Sequence, residues 1–420
     1  MSRPANSPAW LASVGSWLTL RRVRTHAIIL AFCLWSVCAV DFLTLGIVDR
    51  GGNIKFQDFL PLYVSARMIA NGRASQIYDP RACALEISNI IEAPVRVSLP
   101  YLYGPQVALL LVPLTRFPFL TAAAIWAALS VLIYCVCVYL LLNAAPGLAP
   151  YRQTVWWCAV AFPPLFHLFV RGQNSAIVLA CFTAAYLFLL RRRAGLAGIA
   201  LGLLIFKPQF LVAIPFVLLL AGAWKILAGL ALSAVAQLTL AWAWFGSAIM
   251  RSYLDALRSM SGVGLSSTGA PATAELSLAP IQMHSLRSFW TLLIPFPPIA
   301  LALYVLSVAA TIIIAAAVWK SSSPVPIRFA ALTLAVVLAD PHLFIYDLVV
   351  LAPAFLLLAA LLGRNDAPAL ALRAFIYFAA LLPLFGPLSR WTHLQLSVPV
   401  FFALLWFLWR CPLPEEPNPA

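Results

Sequence analysis

Acid is scarce in this sequence. Its 420 residues include 13 Asp and Glu against 27 Lys and Arg, and charged residues make up only 10% of the chain. A soluble domain carries about 25% charged and roughly 45–50% apolar residues. The apolar share here is 63%, more than a water-soluble core can bury. No acidic residue occurs between Glu92 and Asp255, so few carboxylates are on hand for chemistry. The 8 Cys contain no Cys-x-x-Cys pair and no zinc spacing. Cys33, Cys38, Cys135, Cys137, Cys158 and Cys181 lie in apolar runs, as small hydrophobes do, and not in a disulfide framework. The ten-residue alternation of an outer-membrane barrel is missing. No internal repeat is found.

What is present is apolar sequence in long runs, among them His26–Val48, Leu120–Leu142 and Pro298–Trp319. A spanning helix needs about 20 apolar residues, and backbone groups in lipid must pair internally, which favours helices. The expected fold is an all-α polytopic membrane protein, one domain over 1–410 with about 12 transmembrane helices. The net charge of +14 follows from placement in short cytoplasmic turns and calls for no nucleic-acid partner. Arg3, Arg21, Arg22 and Arg24 put the N-terminus inside. Arg191–Arg193, Arg152, Lys225, Lys320, Arg328, Arg364, Arg373 and Arg410 mark further inside turns. The N-terminus lacks a signal-peptidase site, so the first run stays as an anchor in a bacterial inner membrane.

This parity gives a helix over 27–48, an outer loop at 49–117, and helices over 118–142, 154–170 and 175–190. The stretch 194–223 reads as two short helices, because one helix would bury Lys207 at mid-membrane and Pro208 disfavours helix before it. A helix over 225–245, a second outer loop at 246–290 and five more spans follow. The C-terminus ends inside, and 411–420 is expected to be disordered. In the first loop Phe56–Ala70 is amphipathic, Pro80–Ile91 is helical with Asp79 as N-cap, and Tyr103–Leu114 is interfacial or re-entrant. A base on the outer side is one of Asp41, Asp49, Asp58, Asp79, Glu86, Glu92, Asp255, Glu275, Asp340 or Asp347, unless it is His. Asp58 opens the first amphipathic helix, either as an acid stabilised by the macrodipole or as a base. Asp41 lies in the first span or at its hydrated outer end.

The segment Gln57-Asp58-Phe59…Tyr63…Ala66…Gly72…Tyr78-Asp79-Pro80, then Tyr103-Gly104-Pro105, resembles the opening loop of glycosyltransferase family 87. Arg171-Gly172-Gln173-Asn174, Gly198…Gly202…Lys207-Pro208, Ser285-Leu286 and His342…Tyr346-Asp347 fit the same family in order and spacing, over roughly 27–360. The resemblance implies a GT-C-type bundle and a mannosyltransferase using a polyprenyl-phosphate donor. It also implies an essential aspartate near the start of the first outer loop, which falls on Asp58.

The residues permit such chemistry. Asp58 takes the proton of an acceptor hydroxyl, a step typically worth about 10²–10⁴-fold. Lys207, Arg171 and His342 contact the donor phosphate. Gln173, Asn174, Tyr63, Asp347, His284 and Arg287 contact sugar or acceptor, Asp347 alternatively orienting His342 or Lys207. Plainer readings stand beside these: Arg171 snorkels, Asn174 caps a helix, and His342 closes a helix end. Gly198 and Gly202 read as close-packing positions. A single displacement inverts the anomeric carbon, with no metal and no cofactor. The expected partners are the lipid donor, a lipid or glycan acceptor and the bilayer. A transporter or lipid flippase shares the composition, and Lys207-Pro208 suits one, but the missing inverted repeat and the polar outer loops argue for the enzyme.

Overall fold

The computed structural model describes residues 9–91, 101–261, 280–363 and 366–410. Arg3, Glu92, residues 262–279 of the second loop with Glu275 among them, Arg364 and the tail 411–420 lie outside them. The regular elements of the described chain are helices, the α-helices in the order α1 (Ala9–Trp17), α2 (Leu20–Phe42), α3 (Leu60–Ala70), α4 (Pro80–Ile91), α5 (Pro105–Leu111), α6 (Phe119–Asn143), α7 (Arg152–Val160), α8 (Pro163–Arg171), α9 (Ser175–Leu190) and α10 (Ala194–Gly202). It continues with α11 (Ile214–Leu220), α12 (Trp224–Ser261), α13 (Leu286–Leu293), α14 (Pro297–Lys320), α15 (Val325–Ala339), α16 (Leu351–Ala359), α17 (Ala367–Leu381), α18 (Ser389–Thr392) and α19 (Ser397–Arg410). Six stretches among the described residues are long and apolar enough to cross a membrane, or seven with one bent pair; shorter apolar helices stand beside them.

Several boundaries differ from the sequence reading. The first span is shifted back to Leu20–Phe42. Thr19 caps it by accepting from the Arg22 amide at 3.4 Å. Past its end Gly46 has φ 81°, and the Lys55 ammonium takes the carbonyls of Thr44 and Gly46. Asp41 therefore sits at the last turn of α2. The helix expected over 154–170 is two helices bent by 45°. Pro163 and Pro164 supply no N–H to continue α7, yet suit the first turn of α8. Residues 247–261, expected as loop, continue α12 beyond a kink at Gly246, whose φ of 77° only glycine adopts freely.

The expected helix at 56–70 begins at Leu60 and is enclosed on most sides, with seven of its eleven residues buried. Residues 103–114 split into α5 and a 3₁₀ turn, Val112–Arg116. As expected, α4 starts at Pro80, and Asp79 Oδ1 accepts from the Arg81 and Ala82 amides. The stretch 194–223 is broken at Lys207, where φ is −135° and 3₁₀ turns flank it on both sides. Gly198 is a packing position: a Cβ there would stand 2.0 Å from the Ile226 carbonyl oxygen of α12.

These breaks gather at one end. From the α8–α9 turn, α9 runs 16 residues, about 24 Å at 1.5 Å per residue, to the triplet Arg191–Arg193. Helix α10 then climbs back to Lys207, and α15 climbs from Val325 to Asp340. The 3₁₀ turn Ile345–Val350 packs against both α8 and α9.

Candidate functional site

The site begins at the tight turn between α8 and α9. Gly172 has φ +69°, and a Cβ on it would lie 2.9 Å from Phe59 Cβ and 3.2 Å from Phe56 Cβ. The absence of a side chain lets the first loop settle onto the turn. Trp126 Nε1 fixes the turn by donating to the Gly172 carbonyl at 3.0 Å, and the Asp58 amide donates to the Arg171 carbonyl at 3.1 Å.

Asp58 does not cap α3, whose N-cap is Phe59 with no side-chain bond. Its Oδ2 instead accepts from Gln173 Nε2 at 3.1 Å. Gln173 Oε1 accepts from the Tyr103 hydroxyl at 3.1 Å, which orients the amide. Arg171 is partly exposed, and its Nη1 donates to Gln57 Oε1 at 3.1 Å. The Asp58 carboxyl is half-buried. Burial raises its pKa above the usual carboxylate range, while the Arg171 charge and the Gln173 hydrogen bond pull it back. A carboxylate so balanced keeps a lone pair of usable basicity.

Lys207 occupies the helix break. It is 3% exposed, and its ammonium lies 2.5 Å from Asp347 Oδ1. Ser175 Oγ accepts from Lys207 at 3.0 Å and donates to Asp347 Oδ1 at 2.5 Å. The rings of Tyr103, Phe210 and Tyr346 surround the ammonium at 5.5–6.0 Å. Asp347 thus pairs with Lys207, one of the two partners expected for it. Asn174 starts α9 but its side chain caps nothing. It is fully buried, and neither of its amide atoms has a hydrogen-bond partner among the described residues.

The turn after α15 completes the set. Asp340 Oδ1 accepts from the His342 amide at 2.8 Å, and His342 Nε2 meets Arg287 Nη1 at 3.2 Å. Arg287 is partly exposed. His284 and Tyr63 are placed otherwise than as free contacts to a ligand. His284 is 2% exposed, donates its amide to the Leu343 carbonyl and shares a 2.8 Å bond between Nδ1 and Ser397 Oγ. Burial pushes its pKa down to about 3, so it is neutral. Tyr63 is buried, and its hydroxyl donates to the Phe117 carbonyl at 2.8 Å.

Tyr103 and Ser175 carry more of this network than the sequence suggested. Ser175 carried one usable signal, as the third polar residue of the run Gln173-Asn174-Ser175 before fifteen apolar or small residues. Among the described residues no three His, Cys, Asp or Glu side chains converge to hold a metal ion.

The model of glycosyltransferase family 87 matches residues 101–345, more than half of the chain. The match takes in Tyr103, Arg171, Gln173, Lys207, Arg287 and His342 and begins after Asp58. No curated protein and no solved structure matches the chain.

Proposed function

From the premise that this chain belongs to glycosyltransferase family 87, and so is a membrane glycosyltransferase, we propose that it moves a hexose, mannose in the first instance, from a polyprenyl-phosphate donor to an acceptor hydroxyl. The reaction takes place at the outer face of the inner membrane. Asp58 accepts the hydroxyl proton as the acceptor oxygen bonds to the anomeric carbon. The bond from that carbon to the donor phosphate oxygen breaks in the same displacement, and the phosphate leaves on its polyprenol. A β-linked donor then yields an α-linked product.

The observation that carries this reading is the posture of Asp58. It is a half-buried carboxylate oriented by Gln173 and fastened through its backbone to the turn that bears Arg171. Arg171 is a partly accessible cation beside it, and partly exposed Arg287, paired with His342, supplies a second from the first turn of α13; both suit charge developing on the phosphate. Lys207 becomes a positioning residue in this reading, because its charge is already engaged by Asp347. The donor's apolar tail takes the cavity of about 540 Å³ between α2, α6, α7, α16 and α17. Leu30, Tyr134, Val155, Phe162 and Phe355 line it. It reaches Pro163, about 12 Å along α8 from Arg171.

The test is transfer of labelled mannose from polyprenyl-phosphate-mannose to membrane acceptors by wild type and Asp58→Asn. A drop of about 10²–10⁴-fold in turnover is expected. Unchanged turnover removes Asp58 as the base, and transfer from a nucleotide sugar in place of the lipid donor removes the donor assignment.

A further inference from the structure

A second feature lies at the opposite end of the bundle from Asp58. A small cavity of about 160 Å³ is lined by Leu189, Arg192, Ala194, Ile226, Trp319, Val325 and Arg328. Among the described residues its two ionisable groups are guanidiniums, and no acidic residue lines it. Among the described residues neither Arg192 nor Arg328 forms an ion pair. Arg328 Nε is buried and has no hydrogen-bond partner among the described residues. An arginine that merely marks a cytoplasmic turn reaches into water; a buried guanidinium donor without a partner costs free energy until an anion meets it. Ala194 and Val325 are the first residues of α10 and α15, and neither helix has a side-chain cap. The first-turn amides of α10 add to the positive field at the same cavity; in α15 only the Val325 amide does so, because Pro326 has no N–H and the Ile327 amide is taken by the Pro324 carbonyl.

The walls decide which anion. Leu189, Ile226 and Trp319 are apolar, and the cavity sits where membrane-crossing helices end. Basic pockets between such helices at the cytoplasmic side receive anionic lipid headgroups. We propose that Arg192 and Arg328 form a binding site for the phosphate of an anionic phospholipid of the inner leaflet. Arg328 supplies the enclosed donor, and Arg192, exposed at the rim, supplies the second charge. The site is separated from Asp58 by the length of α9, so it is independent of the transfer chemistry.

The test uses the full chain in detergent, with retention of phosphatidylglycerol against phosphatidylcholine read by native mass spectrometry. The wild type is expected to retain phosphatidylglycerol, and Arg192→Gln with Arg328→Gln to lose at least about tenfold in retention. Arg191→Gln, an exposed neighbour outside the cavity, is expected to retain it fully. Arg328→Lys keeps the charge and guards against misfolding; it is expected to weaken retention severalfold, since lysine lacks the planar donor set. Equal retention in the double variant, or equal loss in Arg191→Gln, overturns the site. Displacement of phosphatidylglycerol by an equal concentration of inorganic phosphate overturns the lipid as its occupant.

Discussion

Gln173 joins Asp58 to Tyr103: its Nε2 donates to Asp58 Oδ2 across 3.1 Å while its Oε1 accepts from the Tyr103 hydroxyl. The bond favours the charged carboxylate. Burial acts the other way and has raised the Asp58 pKa. A base works deprotonated, so kcat/KM falls as pH drops through that pKa, above the ordinary aspartate value of about 3.9. Gln173→Leu removes the donor, and the acidic limb is expected to move up by about one unit. A pH–rate profile with an unmoved acidic limb would show that Gln173 does not hold the base.

Lys207 and Asp347 are buried together, so removing either alone leaves an uncompensated charge. Lys207→Met is expected to cost about 3–5 kcal/mol, and Lys207→Met with Asp347→Leu to recover most of it. Thermal unfolding in detergent micelles reads both. The folded double variant also tests the role assigned to Lys207. A positioning residue lowers kcat through the Ser175 turn and leaves donor KM within about threefold; a phosphate-binding cation raises donor KM instead.

Most of the helices were legible because apolar length is a strong signal: α6 and α9 fall within a residue or two of the spans read from the sequence. What was hidden depends on partners far along the chain. The close of α2 at Phe42 needs Lys55 to reach back for two carbonyls. The extension of α12 needs Gly246 to kink where a chain terminus would look the same in one dimension. In the site, Arg171, Gln173 and Lys207 stood out as polar groups in apolar surroundings. The sequence leaves Asp347 between His342 and Lys207 as partners, and only the fold, which brings it to Lys207 across 140 residues, decides between them. Nothing in one dimension says that His284 faces Ser397 and not a ligand. Scarcity of acid narrowed the choice of base, and only the α8–α9 turn ties Asp58 to Gln173.

Gly172 lets the first loop settle against that turn. Gly172→Ala places a residue at φ +69°, which costs about 1–2 kcal/mol for a side chain, and sets its Cβ against Phe59 Cβ at 2.9 Å. The easiest relief moves Phe59, and Asp58 moves with it. Turnover is expected to fall at least tenfold, more than the loss of stability alone predicts. A variant with a lowered unfolding temperature but wild-type turnover at low temperature would show that the loop need not be seated for catalysis.

Arg287 separates donor binding from the chemical step. Its Nη1 meets His342 Nε2 at 3.2 Å. A guanidinium is only a donor, so Nε2 is the acceptor and the imidazole is neutral with its proton on Nδ1. The pair therefore presents one net positive charge, with guanidinium donors left over for a phosphate. Charge-assisted hydrogen bonds are worth about 1.5–3 kcal/mol, so Arg287→Gln is expected to raise donor KM by about 10–100-fold while kcat changes little. Arg287→Lys should recover only part of the loss, because an ammonium cannot meet phosphate and imidazole with two fixed donors at once. Initial rates over a range of polyprenyl-phosphate-sugar concentrations decide it. An unchanged donor KM in Arg287→Gln moves the phosphate away from the 340–347 turn and leaves Arg171 as its cation.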